Sequence, residues 1–310
     1  MFNEIYGQLK DMVEDRLIPF LPETAPESRL LYDAMKYSLE AGGKRIRPVL
    51  LLASCLASGG KSEDAMPFAC AIEFIHTFSL IHDDHPSMDN DDLRRGKPTN
   101  HKVFGDDMAI LAGDGLFNSA MDVMFDAVES CGMETDDLLR RIRAGKEISY
   151  ASGARGMAAG QTADIHPEKI NSDDTGKLLY IHSYKTGALI RAAVRAGVIL
   201  GGADDRMLDD FTEYAEQIGI AFQIVDDILD VVGDVESLGK NTGMDETLGK
   251  LTYPAVFGLE VSREKAKEAT DTACVALNRI RKTTDPDDPD RAVYFRFLEE
   301  LALDLLNRIS

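Results

Sequence analysis

The stretch Phe74-Ile75-His76-Thr77-Phe78-Ser79-Leu80-Ile81-His82-Asp83-Asp84-His85-Pro86-Ser87-Met88-Asp89, continued by Asn90-Asp91-Asp92-Leu93-Arg94-Arg95-Gly96-Lys97-Pro98, decides how this chain is read. A run of apolar residues delivers carboxylates, and two adjacent arginines follow. Carboxylates suit a hard divalent cation such as magnesium, which takes oxygen ligands. Guanidinium forks suit phosphate oxygens, two at a time. Together they point to a metal-bridged phosphate or diphosphate, against the alternative of a solvated acidic face. A calcium loop of the EF-hand type fails on spacing: counted from Asp89, one ligand position falls on Leu93 and the required glycine is missing.

Composition narrows the classes. A chain of 310 residues that is 44% hydrophobic can bury a substantial core. Its formal charge of -20 argues against nucleic-acid binding, which needs a basic field. The same charge repels an anionic substrate unless cations or a local basic cluster intervene. Cys55, Cys70, Cys131 and Cys274 are scattered, with no C-x-x-C pair, and read as small hydrophobes. No basic-then-apolar leader opens the sequence and no uninterrupted apolar run suggests a membrane span, so a cytoplasmic protein is expected.

Working outward, helical spacing dominates: residues 2–17 up to Pro19, a start at Pro26-Glu27-Ser28 running to Gly42-Gly43, and then roughly 64–84, 107–130, 134–152, 173–200 and 291–308. No strand pattern or repeat appears, so an all-α chain forming a single domain over residues 1–310 is expected. The turn Lys44-Arg45-Ile46-Arg47-Pro48 opens a helix to Ala57. It reads either as a phosphate clamp at a helix N-terminus or as solvated cations after a glycine cap. The polar segment Thr283–Asp290 reads as a surface turn.

A second acidic group, Phe222-Gln223-Ile224-Val225-Asp226-Asp227-Ile228-Leu229-Asp230, lies in a helix starting near Leu208. Asp226 and Asp230 are four apart, so both project from one face and repel unless a cation lies between them. Around Asp83 the spacing is longer and includes Pro86, which predicts a bulge or break that swings Asp89 back toward Asp83.

With both acidic groups in hand, the chain resembles the trans-prenyltransferases, the short-chain polyprenyl diphosphate synthases of the farnesyl and geranylgeranyl type. The matching motifs are Gly42 to Pro48, Asp83 to Arg95, Gly160-Gln161-Thr162-Ala163-Asp164, Lys185-Thr186-Gly187, Phe222 to Asp230, and Gly239-Lys240 with Gly249-Lys250. His85, where leucine is common, and Gly115, where alanine is common, depart from the pattern. The resemblance implies an all-α bundle around a central cavity, a homodimer, and a Mg2+-dependent condensation of isopentenyl diphosphate with an allylic diphosphate (dimethylallyl or geranyl). By resemblance, Asp83, Asp89 and Asp226 hold magnesium, with Asp84, Asp227 and Asp230 as further ligands or their supports. Arg94, Lys185 and Lys240 contact the allylic diphosphate, and Thr186 and Gln223 offer dipoles to the allylic cation. Lys44, Arg47, His76 and Arg95 hold isopentenyl diphosphate without metal, although His76 taken without the resemblance reads as a core histidine. His82 is taken as structural, and Gly249-Lys250 as part of a lid.

Phe78, five residues before Asp83, stands about 7–8 Å below it along a helix axis. The resemblance implies that an aromatic ring there stops elongation at fifteen-carbon farnesyl diphosphate; ordinary core packing is the alternative. Three rivals are carried: a twenty-carbon geranylgeranyl diphosphate synthase, a noncatalytic subunit of a prenyl synthase complex, and a terpene cyclase. Retention of both aspartate groups opposes the noncatalytic subunit, and Lys44, Arg47 and Arg95 oppose the cyclase.

Overall fold

Helix α1 (Phe2–Leu17) buries Leu9, Val13 and Leu17, the stripe its spacing dictates. A 3₁₀ turn at Pro26–Ser28 leads into α2 (Arg29–Leu39), and α3 (Ile46–Ala57) and α4 (Ser62–Asp83) follow, both apolar on almost every side. The computed structural model describes residues 1–132, 134–170, 172–232, 251–283 and 288–309. Beyond α4 come α5 (Asn100–Phe104), α6 (Asp106–Ser130), α7 (Thr135–Ser152), α8 (Met157–Ile165) and α9 (Asp174–Ile181). A π turn at His182–Gly187 joins α9 to α10 (Ala188–Leu200), and α11 (Asp205–Val232) follows. The remaining helices are α12 (Tyr253–Phe257), α13 (Leu259–Thr283) and α14 (Pro289–Asn307).

The all-α reading holds. Among the described residues the only strands are Leu93–Arg94 and Lys97–Pro98, a two-residue antiparallel ladder. Helices α8 and α13 were not among the expected segments. Their stripes are built largely on alanine, as with Ala266, Ala269, Ala273 and Ala276, which mark a buried face less sharply than leucine does. Residues 284–287 of the expected surface turn lie outside the described residues.

Helix α4 is long and apolar enough to cross a membrane by length and composition alone. Its most apolar window is 67% buried inside the protein, as befits a core helix. It packs on α6 and α3; α3 packs on α10, which also meets α7 and α11, and α11 lies along α13. One large apolar cluster spans these contacts, and a smaller one joins Leu178, Ile224, Val225, Ile228 and Tyr253 below α11.

The approach of α10 to α3 depends on Gly197. A Cβ added there would sit 2.2 Å from the Leu51 carbonyl oxygen and 3.0 Å from the Cys55 nitrogen, both backbone atoms. Gly197→Ala should therefore force the helices apart and cost about 1–3 kcal/mol, the usual size of overpacking in a tight core. Urea or thermal unfolding reads this directly, and an unchanged midpoint would exclude the close contact.

Candidate active site

The end of α4 is set by one missing hydrogen. Continuing the helix would require residue 86 to donate to the His82 carbonyl, and Pro86 has no N–H. The His85 nitrogen takes that carbonyl instead, at 3.2 Å. The chain then doubles back: Asp89 N–H donates to the Asp83 carbonyl at 2.9 Å, Asp91 N–H to the Asp84 carbonyl at 3.1 Å, and Asn90 adopts φ 54°. The expected break is thus a full helix stop, and it returns Asp89 to the level of Asp83.

Within this loop the two leading carboxylates have different surroundings. Asp84 is buried and accepts from Arg94 Nε at 2.7 and 2.8 Å, while Asp91 approaches the same guanidinium at 3.5 Å. Asp84, expected as a possible ligand, is therefore engaged with Arg94. Asp83 accepts from Gln161 Nε2 at 2.8 Å. Burial, reinforced by Asp89 and Asp84 against Lys185 and Arg94, pushes the Asp83 carboxyl up to about 6.

Gln161 belongs to α8, whose contact with the π turn depends on Gly160. A Cβ there would lie 2.0 Å from the Lys185 nitrogen. From this close seat Asp164 accepts from Lys185 Nζ at 2.5 Å. Burial alone would lower the Lys185 pKa, but Asp164 and Asp83 outweigh it and raise it. The π geometry, an excess residue in a helix and frequent at functional sites, carries Lys185, Thr186 and Gly187 together. Gly187 in turn meets Gly219 of α11 closely: a Cβ on Gly219 would stand 3.2 Å from the Gly187 Cα.

On α11, Asp226 is half-buried and Asp230 is buried. Asp227 turns the other way, accepting from Gln223 Nε2 at 3.0 Å and from the Tyr253 N–H at 2.9 Å, which starts α12. Lys240, Gly239 and Gly249-Lys250 lie outside the described residues.

The basic turn is anchored by a residue the sequence reading left without a role. Arg45 is 2% exposed and left-handed at φ 52°, a conformation costing a non-glycine residue roughly 1–2 kcal/mol. Its guanidinium donates to Glu14 of α1 at 2.9 Å, to Glu73 of α4 at 2.7 Å, and to the Leu39 carbonyl ending α2 at 2.5 Å. Around this anchor, Arg47 donates to His76 Nε2 at 3.3 Å, Lys44 is exposed, and Arg95 reaches the Gly42 carbonyl from a left-handed φ of 54°. That φ turns Arg95 toward the basic turn while Arg94 faces the carboxylates.

These cations oppose one another. Burial and Arg95 bring Arg47 down to about 10 against the pull of Glu73, and burial with the nearby arginines holds His76 neutral. The buried Arg47 Nε has no hydrogen-bond partner. A cationic cluster under mutual repulsion, with a donor unspent, is built to receive an anion.

Phe78 is half-buried, with Phe117 at 5.2 Å and His82 at 4.8 Å between ring centroids. His82 also meets the Ile110 carbonyl at 3.2 Å, a packing role. Of the residues without an expected role, Gln161 and Asp164 stood inside a recognised motif. Glu73 was signalled by its isolation in the apolar run Ala71–Ile75, whereas Glu14 carried no signal.

Among the described residues no three His, Cys, Asp or Glu side chains form a ready metal cage. The donor set nevertheless fits magnesium, which binds one or two carboxylates and completes its shell with waters and substrate phosphates. The strained Asp83 carboxylate supports this fit and yields a test. Its raised pKa makes the metal-free protein bind a proton more tightly when folded, so stability is lost as pH climbs from about 4 through 6. In chelator at pH 7, Asp83→Asn should be more stable than wild type by on the order of 1–3 kcal/mol. A melting temperature that is equal or lower would show that Asp83 is not under this strain.

A family model described as polyprenyl synthetase matches residues 28–285. The chain is 47% identical over 263 residues to the farnesyl diphosphate synthase of Geobacillus stearothermophilus, covering 85% of this chain and 86% of that one. It is 45% identical over 264 residues to the geranylgeranyl diphosphate synthase of Cyanophora paradoxa, with the same two shares. The crystal structure of an FPP/GFPP synthase from Zymomonas mobilis superposes with a TM-score of 0.81 at 32% identity, covering 99% of this chain and 100% of that one. With two aspartate groups, a basic receptor and an all-α bundle already described, the chain belongs to the polyprenyl synthetase family and is a trans-prenyltransferase.

Proposed function

We propose that this enzyme condenses isopentenyl diphosphate with dimethylallyl and then geranyl diphosphate, using Mg2+, and stops at farnesyl diphosphate. The observation that carries the reading is the pairing of opposite receptors on α4. Around His76 lies a cationic cluster suited to a diphosphate that must stay intact. Seven residues further on, about 10.5 Å along the axis, lie carboxylates suited to a diphosphate that must leave.

Bound magnesium would supply fixed positive charge to the departing diphosphate, held by Asp83, Asp89 and Asp226. Lys185, kept protonated by Asp164, adds a cation to the same leaving group, and Arg94 a second. Gln223 donates its amide to Asp227, which leaves its carbonyl oxygen, with the Thr186 hydroxyl, to face the developing allylic cation. Neutral His76 accepts from Arg47 and fixes that guanidinium toward isopentenyl diphosphate. The proton lost after condensation goes to the departed diphosphate, so no histidine base is needed. The exposed apolar side chains Ile110, Leu111 and Phe125 on α6, with Leu139 and Ile142 on α7, suit a second copy of the chain, and a homodimer is part of the proposal.

Purified protein incubated with Mg2+, isopentenyl and dimethylallyl diphosphates should yield elongated products, and excess chelator should abolish them. Asp226→Asn should lower kcat by roughly a hundred- to a thousandfold, the usual cost of losing one preorganised charge-stabilising contact. Full turnover in chelator, or near-normal turnover in the mutant, would overturn the metal-diphosphate mechanism.

Product length tests the remaining part. Phe78, tilted against Phe117 and edge-on to His82, is assigned as the floor reached by a fifteen-carbon chain. Phe78→Ala should extend the major product to twenty carbons or more. A wild-type product already dominated by twenty carbons, or an active mutant with unchanged product, removes Phe78 from that role.

A further inference from the structure

Helix α1 stands outside the stretch matched by the family model, which begins at residue 28. Yet two of its side chains grip the basic turn. Tyr6 donates its hydroxyl to the Lys44 carbonyl, and Glu14 accepts from Arg45 Nε at 2.9 Å and from its second nitrogen at 3.3 Å. The Arg45 side chain is fully buried, and Glu73, 1% exposed, is its other carboxylate partner.

A left-handed arginine between Lys44 and Arg47 cannot hold itself. Its conformation persists only while its surroundings over-determine it. The guanidinium is tied to three elements: α1 through Glu14, the end of α2 through the Leu39 carbonyl, and α4 through Glu73. The backbone on either side of Arg45 then sets where Lys44 and Arg47 point. Releasing Glu14 would loosen the turn on its α1 side while leaving the carboxylate wall of α4 and α11 untouched.

We propose that α1 is a working part of the isopentenyl diphosphate receptor, with Glu14 and Tyr6 as positioning residues acting through Arg45 and the Lys44 carbonyl. The inference rests on the assignment of Lys44, Arg47, His76 and Arg95 to that substrate. It predicts that loosening a helix that touches no substrate weakens one substrate and spares the other.

The test uses the full-length enzyme with Glu14→Gln, Tyr6→Phe and, as a check on the receptor itself, Arg47→Ala. Glu14→Gln should raise KM for isopentenyl diphosphate roughly tenfold, the scale of one lost charge-assisted hydrogen bond. KM for the allylic substrate and kcat at saturation should stay within about twofold, and Glu14→Asp should recover part of the loss. Tyr6→Phe, which deletes a single hydroxyl, should give a smaller shift of about threefold in the same direction. It keeps the proposal testable if Glu14→Gln folds poorly. Both KM values rising together, or neither moving while Arg47→Ala raises that for isopentenyl diphosphate, would overturn the positioning role. An Arg47→Ala enzyme with unchanged isopentenyl KM would instead overturn the receptor assignment beneath it.

Discussion

Helix α4 has to keep two incompatible charge environments at fixed separation on one rod. A cationic cluster and a carboxylate cluster this close along one helix would otherwise neutralise each other by direct pairing, as Arg94 and Asp84 already do. A buried helix resists this because its backbone bonds are satisfied internally and its faces are packed against α3, α6 and α10. The stop imposed at Pro86 then decides on which side of Asp83 the loop folds. Everything functional is referred to that rod: α8 reaches it through Gln161, and the basic turn through Glu73.

The balance of charge follows the same logic at two scales. The molecule as a whole carries -20, while the turn before α3 and the neighbouring Arg95 bring together Lys44, Arg45, Arg47 and Arg95. Arg45 is tied to the buried carboxylate of Glu73. Arg47, with its buried Nε unpartnered and Arg95 nearby, is left partly uncompensated, which costs folding energy and stores binding energy for an anion. At the C-terminal end of α4 Asp83 shows the mirror image, a carboxylate held in poor solvation beside its own kind.

What could be read from the sequence was what is decided locally. The missing N–H of Pro86, the four-residue spacing of Asp226 and Asp230, and the stripe of α1 each depend on neighbours within a turn or two. The linkages that assemble the site run across the chain: Arg45 to Glu14 spans 31 residues, Arg45 to Glu73 spans 28, and Gln161 to Asp83 spans 78. No pattern in a single sequence reports such pairs. The π turn at His182–Gly187 was hidden for another reason: one extra residue barely disturbs the apolar rhythm on either side, so residues 173–200 read as one helix. Helices α8 and α13 escaped because alanine marks a buried face only faintly.

That π turn constrains how the chain can vary in length. An α-helix with one surplus residue invites deletion, since removing any residue between His182 and Gly187 would restore regular hydrogen bonding locally. The wide turn absorbs that residue, so a deletion would leave α9 and α10 nearly in phase and would instead shift the side chains of the turn itself. Lys185 would lose the placement that sets it beside Asp164. The segment should therefore tolerate substitution far better than any change in residue number, although the shorter helix would be the better helix.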